Sequence, residues 1–420
     1  MLKPPEPRPT HLRMLLPIVP CIAGYFFSYF LRNANLATAD GISASLSLST
    51  SVMGLLTAAY FFAATFIILP LGFFLDRYGP RILLTAEFLL SGTGALFFSR
   101  GETLFELIVW RAVMGVGMSG ALITGVTVVA MTVPPHRRAT WNGIILAGGG
   151  LGIIASGAPT VGFVAEWGWR PLFLLAGMAC LLMACVALAL LPRHAASPVH
   201  LRRRKLSDLK DVYRSPLFRR LAPLCSLTLA CFFSLSGLWA IPIMRDVGGL
   251  SPAEISPLVF AYSVASFVGL LLAGSLSDYL QRRGASDQAV VVTLATLLIA
   301  SQALLALGWG AGSYPLWIVI GSLGNIGTLI YPILTRHFDA SLLGRAFSAF
   351  SLFNFIGTFT IQSSFGIVVE FGQRAMGGDD ATQPYRLALS AMVALQLGAL
   401  LWYHLRRPPA ATRGEGEARA

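Results

Sequence analysis

Apolar runs of about twenty residues, separated by short polar connections, recur along almost the whole chain. Each run is long enough to cross a hydrocarbon layer about 30 Å thick at about 1.5 Å of rise per residue. The pattern predicts helical spans at about 14–37, 50–74, 82–99, 103–132, 140–165, 170–192, 219–244, 256–277, 289–309, 314–335, 343–370 and 384–404. Twelve spans use nearly all 420 residues and leave little for a soluble domain. The expected fold is therefore an all-α integral membrane protein.

The longest polar segment, from Arg193 to Arg220, divides the spans six and six. A weak internal repeat agrees with that division: GFFLDRYGPR at 72–81 follows the second span and GSLSDYLQRRG at 274–284 follows the eighth. Gly72 aligns with Gly274 and Asp76 with Asp278, both at an offset of 202 residues. Two related six-helix halves are the simplest account. The expected organisation is a first bundle at 1–192, a central loop at 193–218, a second bundle at 219–404 and a tail at 405–420.

Composition supports this reading: 55% of residues are hydrophobic, 12% are charged, and the mean hydropathy is +0.70. A net charge of +12 would suggest nucleic acid in a soluble protein, but here the basic residues alternate between connections. With the N-terminus inside, 24 of the 31 basic residues fall on inner segments and their edges. By the positive-inside rule both termini are expected in the cytoplasm of a bacterial-type inner membrane. The RRRK run at 202–205 then suits anionic lipid better than nucleic acid. The basic start followed by an apolar run resembles a signal peptide but lacks a clean cleavage site, so it is read as the first helix. All five cysteines fall in spans, so neither a disulfide framework nor a metal cluster is expected.

In the first copy of the repeat, Gly72 permits close helix approach and Asp76 stands where the second helix meets cytoplasm. Gly79 and Pro80 favour a tight turn, and Arg77 and Arg81 hold the loop inside. A solvated turn is the plain alternative for either copy. These residues resemble the G-x-L-x-D-R-x-G-R-[RK] signature of the major facilitator superfamily, with Phe74 and Pro80 as departures. The resemblance covers about residues 14–404. It implies two bundles around a cavity that opens alternately to either side, with the signature residues, including Asp278 of the second copy, gating the cytoplasmic side.

Arg32 lies deep in the first span, where a charge is expensive and is by default a functional hypothesis. Tyr25, Tyr29 and Arg32 share a helix face, with Asn33 and Asn35 close by. An arginine fork with phenol and amide donors suits a carboxylate, a phosphate or a similar anion. Structural pairing and snorkelling to the interface are the alternatives. The stretch is similar to the first helix of organic-anion and sugar-phosphate transporters in the superfamily. Phosphate exchangers of that branch usually carry a second basic residue in the seventh helix, and this sequence has none deep in its seventh span, so the resemblance implies a small carboxylate more than a phosphate ester.

Arg111, with Gly115 and Gly117, resembles a motif sometimes linked to proton coupling; an interhelix role is the alternative. Glu87 in the third span and Glu106 near the outer end of the fourth are further proton candidates. Trp239, Asn325 and Asn354, with Tyr331 and Gln362, are cavity candidates in the second half, and each could instead make a helix-helix hydrogen bond. The Gly-rich run at 148–162 allows close packing and a kink at Pro159. Its departures from the drug-antiporter signature leave proton-coupled efflux as the second reading and a transporter-like solute sensor as the third. No phosphate-binding loop, HExxH or GxSxG motif occurs, so ATP-driven transport and an enzyme are not expected. No cofactor is implied. The expected partners are a small anionic solute, membrane lipids and protons as a coupling ion, and the expected state is a monomer.

Overall fold

A computed structural model describes residues 16–134, 137–192, 207–338, 340–375 and 382–406. The RRRK run, the basic N-terminal residues and the tail beyond Arg406 lie outside the described residues, as do the side chains of Asp76 and Asp278. Among the described residues every regular element is helical. In chain order they are α1 (Ile18–Asn33), α2 (Asn35–Leu46), α3 (Thr50–Ile68), α4 (Arg77–Arg100), α5 (Leu104–Thr132), α6 (Thr140–Ser156), α7 (Ala158–Trp167) and α8 (Trp169–Leu190). After the short α9 (Ser207–Arg214) come α10 (Pro216–Asp246), α11 (Pro252–Arg282), α12 (Asp287–Ala306), α13 (Tyr314–His337), α14 (Leu342–Ala375) and α15 (Thr382–Leu405).

Ten of these are long and apolar enough to cross a membrane, and the bent pair α6–α7 makes an eleventh. With the broken pair α1–α2 at the start, the set is compatible with twelve crossings. Large apolar side chains stand exposed around the perimeter, among them Phe66, Phe105, Leu182 and Ile367, as expected where the solvent is hydrocarbon. In its most apolar stretch α10 is 94% buried, whereas α8, α11 and α15 are each 39% buried, so α10 is central and those three are peripheral.

The boundaries depart from the periodicity reading in two places. The end of the expected central loop is ordered as α9, whose Tyr213 donates to the Ala349 carbonyl of α14 at 3.4 Å, and α10 starts at Pro216. The expected span at 140–165 is two helices bent by 41° at Gly157, where a non-helical ψ of −126° interrupts the helix ahead of Pro159. The helical run Thr50–Arg100, which contains α3 and α4, is interrupted near the start of α4 at Gly79, whose φ of 75° is a conformation that costs a side-chain-bearing residue energy and glycine little. The glycine in the signature is thus a backbone requirement.

Other breaks fall in mid-span. The first span breaks at Ala34 and the fourth loosens at Ser119 and Gly120. In the second half, Leu235–Trp239 forms a π-helical turn and Ile326–Leu329 a tight 3-10 turn. Broken backbone at membrane depth is tolerated where it is buried in protein or lines a cavity, which directs attention to the layer around Arg32.

Candidate functional site

The first layer of the site is α1, and α6 sets how close α1 can sit. A Cβ on Gly148 would come within 2.9 Å of the Ile22 carbonyl, and one on Gly152 within 2.3 Å of the Phe26 carbonyl. Gly149 admits the Tyr25 ring in the same way. The Gly-rich run is therefore a bed for α1. Two further members reach the second half: Gly150 faces the Phe267 ring and Gly157 the Ser263 hydroxyl, both on α11.

On this bed Tyr25 and Tyr29 pack edge to face with centroids 5.1 Å apart. The guanidinium of Arg32 lies 4.8 Å from the Tyr29 ring centre and 4.9 Å from that of Phe233 on α10, with Phe61 of α3 at 5.7 Å. Arg32 is only 8% exposed. Its Nε has no hydrogen-bond partner, and no carboxylate forms an ion pair with it among the described residues. Rings supply cation–π attraction worth about 2 kcal/mol when desolvated, well short of the cost of burying a charge. The arrangement is a buried cation in an aromatic cage, with rings from both halves and an Nε that has no partner.

Arg111 behaves differently. Fully buried, it donates from Nη1 to the Leu31 carbonyl at 2.7 Å and from Nη2 to the Arg32 carbonyl at 3.1 Å, with its guanidinium 5.2 Å from the Tyr60 ring centre. These carbonyls lose helical partners because the helix breaks at Ala34. Arg111 thus satisfies the end of α1 and holds the backbone from which Arg32 projects.

Other candidates divide. Asn35 turns away from Arg32 and donates to the Thr57 hydroxyl at 2.8 Å, a bond within the first half. Asn33, beside it, accepts from Ser236 of the π-helical turn at 3.4 Å and so bridges the halves. Trp239 stacks on Phe365 and donates to the Gln362 carbonyl at 3.3 Å, a packing role between α10 and α14. Asn325 donates to the Ser266 carbonyl at 3.5 Å, but its Oδ1 has no partner. Asn354 Oδ1 and both amide atoms of Gln362 are likewise buried without partners, so α14 carries unspent hydrogen-bonding capacity. Tyr331 bonds Ser351 at 3.2 Å.

Glu87 is 3% exposed, and neither carboxyl oxygen has a partner among the described residues. It borders a groove of about 310 Å³ walled by Leu71, Leu90 and Val116, away from the aromatic cage. Glu106 accepts the Glu102 and Thr103 amides and closes a capping box on α5, a structural task that explains it fully. Arg77 lies over Phe73 and Tyr78. For Arg81 the structure gives a half-buried position at the start of the helix after the Gly79 turn.

The halves are closed together on the face opposite the one where α1 begins and α15 ends. Asp40 of α2 pairs with Arg245 of α10 at 2.7 Å, and the Ser51 amide donates to Glu370 of α14 at 3.0 Å. Gly54 and Gly366 bring α3 and α14 together there: a Cβ on Gly366 would lie 2.8 Å from the Thr50 carbonyl. Sequence reasoning missed this closure, because Asp40, Arg245 and Glu370 are far apart in the chain and sit in ordinary loop-edge positions.

The family model described as Major Facilitator Superfamily matches residues 21–360. Among curated proteins, the chain is 28% identical over 274 residues to a chloramphenicol resistance protein of Streptomyces lividans, 64% of this chain and 65% of that protein. It thus spans less than two thirds of that relative's length. It is 26% identical to the hexuronate transporter of Bacillus subtilis over 66% of this chain and 68% of that one. Among solved structures it superposes with a TM-score of 0.75, at 16% identity and over 94% and 97% of the two chains, on a bacterial homolog of the human lysosomal transporter Spinster in its inward-facing, unoccupied conformation.

Proposed function

Given that this chain belongs to the major facilitator superfamily, we propose that it is a secondary carrier of a small organic anion, a carboxylate bound by Arg32. The observation that carries the reading is the Arg32 guanidinium, buried in rings from both halves without an acidic partner among the described residues. A carboxylate accepts a bidentate bond from such a fork, and the rings exclude the water that would otherwise weaken it. Asn354 and Gln362 offer further hydrogen bonds to hydroxyls on the solute. The hexuronate transporter among the relatives is consistent with a hydroxylated carboxylate.

Transport follows from alternation. The face closed by Asp40–Arg245 and Ser51–Glu370 is taken as the periplasmic one, because most basic residues fall at the other face and the positive-inside rule assigns that to the cytoplasm of an inner membrane. Closure of that face is what alternating access requires of a state that faces inward. Solute binding at a layer shared by both halves biases their rocking, since a ligand shifts such an equilibrium by its differential affinity for the two states. Glu87 is the proposed proton-coupling group, which would make the carrier a symporter.

Uptake and counterflow in proteoliposomes, with a panel of mono- and dicarboxylates and two lipophilic cations, test the reading. Removing a charged partner at a buried site costs about 2–5 kcal/mol, so R32A is expected to lower anion affinity by roughly 30-fold or more. R32K, which keeps charge and loses the planar fork, is expected to fall between. Anion flux indifferent to both variants overturns the assignment. A second reading, efflux of apolar compounds, is favoured by the aromatic lining of Phe61, Phe233 and Phe355. Saturable flux of the lipophilic cations alone would select it.

A further inference from the structure

A second polar cavity lies far from Arg32. On the face where α15 ends, a pocket of about 880 Å³ opens between the first turns of α10 and α12 and the last turns of α13 and α15. Arg219 lies fourteen residues before Phe233 on α10, so about 20 Å of helix separates the pocket from the aromatic cage. Its walls carry Arg219, Arg220, Arg336 and Arg406, against one lining carboxylate, Asp287.

Two of these arginines are committed. Arg336 pairs with Asp287 at 2.7 Å, which neutralises that carboxylate. Arg220 donates to the Tyr403 carbonyl at 2.9 Å and to Gln288 at 3.1 Å, neutral acceptors that leave its charge in place. The guanidinium of Arg219 has no acceptor among the described residues, and that of Arg406 lies 3.9 Å from the Trp402 ring centre and likewise has no acceptor among the described residues. Trp402 also donates to the Arg219 carbonyl at 2.9 Å and so ties the two cations to one wall. The pocket presents three uncompensated positive charges, two of them as free planar forks, above an apolar floor that includes Leu217 and Ile333.

We propose that this pocket binds a phosphate-bearing anion, supplied by the headgroup of an anionic lipid or by a soluble phosphate compound. Planar forks match the oxygens of a phosphate bidentately, and basic pockets between helix ends sit at the depth of lipid headgroups. One ligand there contacts the ends of α10, α12, α13 and α15 at once and holds that end of the second half together. Because the forks are exposed, binding weakens as salt rises.

The test is titration of the purified full-length protein in neutral detergent, read by thermal unfolding. The probes are short-chain phosphatidylglycerol, inorganic phosphate, and short-chain diacylglycerol as the lipid lacking phosphate. R219Q/R406Q is expected to lose about tenfold or more in affinity for the probe that stabilises wild type, while R282Q/R283Q, equal in charge and outside the pocket, keeps it. Stabilisation by phosphatidylglycerol alone identifies the lipid headgroup, and stabilisation by inorganic phosphate as well identifies the soluble source. Absence of saturable stabilisation by either, stabilisation by diacylglycerol equal to that by phosphatidylglycerol, or equal loss in both double variants overturns the proposal. If the double variant does not fold, the single variants R219Q and R406Q decide, each expected to lose a few-fold in affinity.

Discussion

Three buried charges in the first half illustrate how burial alone fails to specify a role. Arg111 is the most buried, and its two terminal nitrogens donate to the Leu31 and Arg32 carbonyls, while its Nε, like that of Arg32, has no partner. Arg32, 79 residues away in sequence, lies among rings with no acid paired to it among the described residues, and that difference separates a positioning residue from a candidate ligand. Glu87 has neither rings nor donors, only an apolar groove and the close approach of Gly120, where a Cβ would meet its Oε1 at 2.0 Å. If Glu87 couples protons, E87Q keeps the shape of the side chain but removes its exchangeable charge. Uptake driven by a proton gradient is then expected to disappear while counterflow without a gradient persists. Gradient-stimulated uptake at the wild-type level in a folded E87Q would remove Glu87 from the mechanism.

Helices in this protein meet through missing side chains. The spacing of Gly148 and Gly152 matches that of Ile22 and Phe26 on α1, one turn apart on each helix, so the backbones touch where a soluble protein would place leucines. A Gly152→Ala substitution puts a methyl 2.3 Å from a backbone carbonyl that cannot swing aside, and overpacking of this kind costs about 1–3 kcal/mol. Gly162→Ala meets nothing within 4 Å and is the natural control. Thermal unfolding in detergent should show a lowered midpoint for G152A and an unchanged or raised one for G162A. Equal behaviour of the two would mean that α1 does not rest on α6 in this way. The same elements explain the kink: Pro159 made a bend expected, but Gly157 places it.

Across the whole molecule, the ion pair that joins the halves on the closed face is a weak one. Asp40 and Arg245 are 66% and 40% exposed, and an ion pair of that exposure contributes about 0–1 kcal/mol. D40N is therefore expected to shift the balance of the two states by no more than about fivefold toward opening at that face. The shift is measurable as faster labelling of a cysteine placed beside Trp239 by an impermeant thiol reagent in a cysteine-free background. Labelling at the wild-type rate would show that the Asp40–Arg245 bridge does not hold the gate. A weak latch suits a carrier, because the solute's binding energy has to outweigh it on every cycle.

The sequence by itself determined the solvent, the helical class, the repeated signature and the presence of an arginine at membrane depth. Each of these is written in local composition or in spacing along one helix, where periodicity and the cost of burying charge act without reference to the rest of the chain. The turn at Gly79 was legible for the same reason. Tertiary structure alone decided that Arg32 has rings for neighbours and, among the described residues, no paired acid, that Asn35 turns to Thr57 while Asn33 reaches Ser236, and that Arg111 caps the end of α1. It also decided which face is shut and where four arginines gather. Those properties depend on residues up to about three hundred positions apart coming within a few ångströms, and no pattern along a single helix encodes that distance.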